Sequence, residues 1–382
     1  MTTAIRRLRT LAGCCALSLV AVLPACGGGD GITPPPPPPP PPTPLSITAT
    51  GRLERGSTVT LAVTKAGVAV APTVLTFQPT DGAAVTADGS VKLLREGALT
   101  VTATEGASTG STTLQVAAPP VVVFDRQVSG NRDIWRVDLD GQNLTQLTSD
   151  PGDDQDPTAV KGTVVFVSYR AGNAELYSVP LATGATARLT TTARDESTPS
   201  LSADGSKLAF AGVSSGVTKI YTAAMATPIA GAAQLVPGTG ADVIETAPSW
   251  STSTSLAFVS TAAGTADIVQ VVGNGAPTPL AASSAADVEP AWSADGQTLA
   301  FVSTRTGPVE IFLRSAAGVV TQLTSGTGSR SNPAWTPDGR VVYVETVGGV
   351  THLRWIDPAA PGTSYLIETG AGAVGNPAVN LP

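Results

Sequence analysis

From Val121 onward an aromatic residue is followed six positions later by Gly and four positions after that by Ile or Leu. This happens six times: Phe124/Gly130/Ile134, Phe166/Gly172/Leu176, Phe210/Gly216/Ile220, Phe258/Gly264/Ile268, Phe301/Gly307/Ile311 and Tyr343/Gly349/Leu353. The internal spacing never varies, and the copies recur every 42 to 48 residues. A unit of that length cannot bury its own apolar faces, so it must stack on its neighbours. A period of about 40 to 50 residues with four short strands is the mark of a propeller blade. Each unit reads as an apolar strand ending at the aromatic, a hairpin opened by Gly, an Ile/Leu strand, and a last short strand. That last strand carries Leu147-Thr148, Leu189-Thr190, Leu235, Leu280, Leu323-Thr324 and Leu366 in the successive units.

A proline precedes five of the aromatics by nine to eleven residues: Pro157, Pro199, Pro248, Pro290 and Pro333. Asp204-Gly205, Asp295-Gly296 and Asp338-Gly339 then read as hairpin turns. The first unit lacks this proline strand. The chain instead ends on Gly375-Asn376-Pro377-Ala378-Val379, which matches Ser331-Asn332-Pro333-Ala334-Trp335. Only five residues follow Pro377, too few for a seventh blade. The terminal fragment is therefore expected to complete blade 1 and close the ring, which removes two exposed sheet edges.

The run Pro290-Ala291-Trp292-Ser293-Ala294-Asp295-Gly296, continuing through Phe301-Val302-Ser303-Thr304-Arg305 to Glu310-Ile311-Phe312, resembles the propeller repeat of the TolB family of periplasmic proteins. The resemblance extends over about 260 residues and implies a six-bladed propeller over 119–382. It implies less about role, because members of that family carry a different, α/β N-terminal domain.

Residues 45–118 hold seven short runs of strand type, at 45–50, 58–64, 73–77, 84–86, 91–94, 99–104 and 112–116. They are separated by turns such as Asp81-Gly82, Asp88-Gly89 and Glu105-Gly106, and they predict a small β-sandwich. Ala87-Asp88-Gly89-Ser90-Val91 and the stretch from Glu96-Gly97 through Thr104 resemble the bacterial immunoglobulin-like domains of group 2, with Phe77 where that family usually has Trp. The resemblance implies a surface spacer or an adhesive module.

The N-terminus speaks to compartment. Arg6, Arg7 and Arg9 precede an apolar run that ends at Leu23-Pro24-Ala25-Cys26. The run is too short to span a bilayer and has the length of a signal-peptide core. The pattern resembles the lipobox of bacterial lipoproteins, which implies removal of 1–25 and lipidation of Cys26. Several acyl chains on one residue anchor stably, at about 0.8 kcal/mol per buried CH₂. Cys14 and Cys15 would leave with the signal peptide, so no disulfide or thiol site is expected. Residues 26–44 form an anchor and linker whose unbroken prolines (34–42) extend about 3.1 Å per residue as a stalk. The expected location is the cell envelope, lipid-anchored at the outer membrane.

Charge excludes some partners. The chain carries 22 Lys+Arg against 29 Asp+Glu, a net −7. Loss of Arg6, Arg7 and Arg9 leaves 19 against 29, or −10. Phosphate backbones want a basic face, so nucleic acid is not an expected partner. Two G-x-S-x-G strings, 106–110 and 212–216, precede no helix and read as chance. His352 is the only histidine, so a transition-metal site is not expected.

Acids are the remaining candidates. Asp153, Asp154 and Asp156, Asp195 and Glu196, Asp242 and Glu245, and Asp287 and Glu289 stand in or next to equivalent loops before the repeat prolines. These loops belong to one propeller face, so the nine acids are expected around one mouth of the channel. They could bind a basic peptide or Ca²⁺, or simply be solvated turn residues. No other cofactor is expected. The sequence thus points to an all-β chain that is not an enzyme: an envelope lipoprotein presenting a propeller to a protein or glycan. Two alternatives stay open, a glycan lyase or hydrolase using the mouth carboxylates and a structural spacer.

Overall fold

The computed structural model describes residues 36–382, apart from Thr183, Thr227, residues 230–232, residues 235–241 and Ala282. The signal-peptide and lipobox readings, Cys26 included, lie outside the described residues, as does Leu235. Residues 36–44 are exposed and form no strand. Everything after them that has regular structure is β-strand.

Residues 45–116 make two sheets face to face. One pairs Leu45–Thr50, Thr58–Lys65, Val91–Leu93 and Ala83–Val85 in that order, with Val68–Ala69 added to the second strand; the other pairs Val74–Gln78, Gly97–Glu105 and Ser108–Val116. Leu45, Ile47, Val59, Val63, Phe77, Val91, Leu93, Leu99, Val101 and Leu114 meet between them. The alternation of buried and exposed positions along 45–50 and 97–105 puts one face of each sheet inward. The last strand begins earlier than its composition indicates. The hairpin around Gly106 pairs Glu105 with Ser108, so the polar residues 108–111 join the ladder. The string 106–110 is thus a hairpin turn followed by an edge strand.

The rest is six four-stranded antiparallel sheets. In blades 2 to 6 the innermost strands are Asp154–Val160, Glu196–Leu201, Glu245–Thr252, Asp287–Trp292 and Ser329–Trp335. In blade 1 that place is taken by Ala373–Val379, paired with Val121–Val128. Each innermost strand packs on the next, and Ala373–Val379 packs on both Ser329–Trp335 and Asp154–Val160, so the ring is closed.

Phe124, Phe166, Phe210, Phe258, Phe301 and Tyr343 sit in the second strands, at most 2% exposed. The hairpin glycines, Gly130, Gly172, Gly216, Gly264, Gly307 and Gly349, all take φ between +79° and +102°, where a side chain is strained. This explains their invariant spacing.

The closing Leu-Thr pair acts differently from the strand it suggests. The outermost strands are only two to four residues, and in blades 1, 2 and 5 they end just before the Leu. Leu189 and Leu323 plug the blade interior and Leu147 packs there partly buried, while the Thr hydroxyl staples two strands. Thr324 Oγ1 donates to Glu310 Oε2 at 2.6 Å and accepts from Ile311 N at 2.9 Å. Thr190 likewise donates to Glu196 and accepts from Leu176 N at 2.9 Å. In blade 4 the buried plug is Ala281, and in blade 6 it is Ile367, whose N–H reaches Leu353 O at 2.9 Å. Leu280 and Leu366 lie one residue too early, and Leu366 is exposed.

Candidate functional site: the channel ring

One position of the blade repeat has a backbone its sequence does not advertise. The residue before each innermost-strand proline takes a left-handed conformation: Asn376 at φ 43°, Asp156 at 51°, Thr198 at 46°, Ala247 at 49°, Glu289 at 52° and Asn332 at 52°. The ladder register slips at each of these places, a β-bulge in all six blades. Asn and Asp tolerate this region; a β-branched Thr does not do so cheaply. Six such residues, each costing of order 1 kcal/mol or more, persist because the ring packing over-determines them. The proline that follows has no N–H to lose from the ladder.

The six residues and their prolines line a cavity of about 500 Å³ where the six innermost strands converge. Hydrogen bonds link five of them. Asn332 N–H donates to Glu289 Oε2 at 2.6 Å, and its amide donates to Asn376 Oδ1 at 2.9 Å. The Asn376 amide donates to Asp156 Oδ1 and to Asp125 Oδ2, both at 2.7 Å. Thr198 N–H reaches Asp156 Oδ2 at 3.4 Å. Ala247 interrupts the circuit, and Thr198 Oγ1 has no partner among the described residues.

Burial, and then the charge of fully buried Asp125, push the Asp156 carboxyl up to about 6. Burial also raises Glu289, against the bond from Asn332. Beside the ring, Tyr169 is 43% exposed. Its hydroxyl is raised by burial and then by the charges of Asp156, Asp195 and Asp153, and its backbone N–H donates to Asp153 O at 3.1 Å.

The nine acids therefore do not form one group. Asp156 and Glu289 line the cavity. Asp153 and Asp195 are exposed and accept the backbone N–H of Arg132 and Ala174 at 3.0 and 3.1 Å, each on the preceding blade. Asp242 is exposed. Asp154, Glu196, Glu245 and Asp287 begin their strands fully buried and are structural. Arg170 holds Asp154 through two contacts of 2.7 and 3.0 Å while lying over Tyr177; Arg305 holds Asp287 at 2.7 Å while lying over Phe301. Thr192 and Thr190 hold Glu196, whose carboxyl burial raises. Glu245 accepts Ile220 N–H at 3.3 Å. Among the described residues no group of three His, Cys, Asp or Glu gathers as metal ligands would. His352 is half-buried on the third strand of blade 6, opposite Glu345.

The family model of the TolB beta propeller domain matches residues 118–237 and 198–373. The chain belongs to this family. Over 95 residues it is 28% identical to the TolB homolog of Protochlamydia amoebophila, a match that takes in 23% of this chain and only a fifth of that relative. TolB of Acinetobacter baumannii superposes with a TM-score of 0.61 at 18% identity, over 88% of this chain and 82% of that one. The Agrobacterium tumefaciens protein described as TolB gives 0.52 at 17%, over 65% and 87%. At these identities the likeness speaks for fold alone.

The expectation that the chain is no enzyme is corrected here. The similar solved structures include a puromycin-hydrolyzing peptidase of Mycobacterium tuberculosis, at 16% identity and a TM-score of 0.48 over 84% of this chain and 52% of that one. The expectation rested on the absence of catalytic residue types, and such an absence does not exclude chemistry.

Proposed function

We propose that this TolB-type propeller works in the bacterial envelope by docking a segment of another envelope protein at the channel mouth. The carrying observation is the ring of six left-handed bulges around the cavity, with Tyr169 and its acids at the rim. Backbone strain repeated in every blade favours a site that is used. A half-exposed aromatic among carboxylates suits a Lys or Arg side chain, by cation–π contact and charge.

Direction supports the same reading. Innermost strands begin at the mouth end. The sandwich touches the propeller through Asp138, Asp140, Asp338, Arg340 and Asp357, which lie where first and third strands end. The mouth therefore opens on the face opposite the sandwich. With Cys26 lipidated and the prolines as a stalk, the sandwich serves as a spacer and the mouth is left open for a partner.

A photo-crosslinking residue in place of Tyr169, used in intact cells, should capture a defined envelope protein. The same residue in place of Val272, exposed on the third strand of blade 4, should not. Asp153→Asn with Asp195→Asn should cut the yield several-fold. Equal capture from both positions would overturn the docking reading. Separately, Cys26→Ser should move the protein from the membrane fraction to the soluble one.

A further inference from the structure

Between the sandwich and blades 1 and 6 lies a second cavity, of about 510 Å³, on the face away from the channel mouth. Its floor is saturated. Arg52, Arg55 and Arg340 meet Glu54, Glu96, Asp138, Asp140, Asp338 and Asp357 in ion pairs, leaving no guanidinium free for a ligand. Six carboxylates around three arginines also give the floor no attraction for an anion.

The rim is different. Tyr365 stacks on Trp355 with centroids 4.2 Å apart and planes 20° apart, yet stays 47% exposed. Leu94 and Leu366, both exposed, flank the opening. The side chains of Lys92 and Gln142 line it without a hydrogen-bond partner among the described residues. A rigid aromatic plate, two apolar neighbours and free donors, over a floor that repels anions, match the apolar face and hydroxyl edge of a pyranose ring.

We propose that this cleft binds a short neutral saccharide, one sugar ring stacked on Tyr365 and its hydroxyls bonded to Lys92 and Gln142. The volume suits two or three sugars, within the range of about 300–1,000 Å³ usual for ligand sites. The site does not depend on the channel-mouth reading, since it lies on the other face.

Isothermal titration of the purified full-length protein with tri-N-acetylglucosamine and with cellotriose should show saturable binding of at least one, with Kd of about 1 mM or tighter. Tyr365→Ala should weaken it by about tenfold or more, and Tyr365→Phe should preserve it. Lys92→Ala with Gln142→Ala should weaken it several-fold and, being exposed substitutions, should leave the fold intact. Glu289→Gln, in the channel, should change nothing; a loss there would move the sugar to the mouth. No saturable binding of either trisaccharide up to about 10 mM, tighter binding of tri-galacturonate than of both, or indifference to Tyr365→Ala and the Lys92/Gln142 pair would each overturn the proposal.

Discussion

Asp156 illustrates how one carboxyl can weaken the fold that holds it. Its folded pKa is about 6 against an ordinary 3.8. Between these values the folded chain binds more protons than the unfolded one, so stability falls as pH rises through that window and stays lower above it. Two units correspond to at most about 3 kcal/mol. Asn stands at the equivalent positions 332 and 376, accepts a left-handed φ, and keeps an oxygen for the Asn376 amide. Asp156→Asn should therefore raise the melting temperature at pH 7.5 by several degrees and leave it nearly unchanged at pH 3.5. An equal shift at both pH values would refute the assignment. Nothing in composition separates Asp156 from Asp154, two residues away, which is buried in an ion pair with Arg170. The handedness of a single bulge residue sorts them. The one signal that could have done so is the column of residues before each repeat proline, where Thr198, Asn332 and Asn376 stand in line with Asp156 and Glu289 although they are not acids.

At the scale of elements most of the propeller was legible, because each feature has one local cause. Gly at the hairpin is required by positive φ, the aromatic by burial on both faces, and the C-terminal strand's place by the missing first strand of blade 1. The Leu-Thr closure was legible as a marker but not as a mechanism. A Thr that staples a buried carboxylate looks, in sequence, like a strand residue. Leu280 and Leu366 misled because the plug follows register with the third strand rather than residue type: Ala281 and Ile367 occupy it. The closing strand makes a strong prediction. Ending the chain after Glu368 removes Ala373–Val379, strips the pairing from Val121–Val128 and leaves two blades without their neighbour. The truncated chain should lose its single cooperative thermal transition and aggregate through the opened edge. A truncated monomer that melts in one transition near the full-length temperature would show that the ring closes without it.

For the whole molecule, the question is whether the sandwich is a separate bead or part of one body. Nothing in the sequence of 45–118 hints at what it touches. The structure ties it to blades 1 and 6. Arg340, 2% exposed in its side chain, holds Glu54 at 2.7 Å, and Arg55 holds Asp140 at 2.9 Å together with Asp138. Arg52 reaches Asp338 and Asp357 at 2.5 and 2.8 Å. These pairs join residues about 80 to 300 positions apart in sequence, which no local pattern can announce. Gly56 shows how close the bodies come: a Cβ there would sit 2.5 Å from Asp140 Cβ, on a backbone at φ +86°. Buried ion pairs add modest net stability when complete, but breaking one leaves an uncompensated charge and costs about 3–5 kcal/mol. The intact protein should therefore unfold as one unit. Arg340→Ala strands Glu54, and Gly56→Val wedges the surfaces apart with every charge kept. Both should split the calorimetric trace into a sandwich transition and a propeller transition. Arg95→Ala, which removes only the exposed pair with Asp81 inside the sandwich, should leave one. Because the wedge acts without touching charge, a split in Arg340→Ala alone would mean that electrostatics hold the two bodies together, whereas a split in both would mean that the fit of the surfaces does.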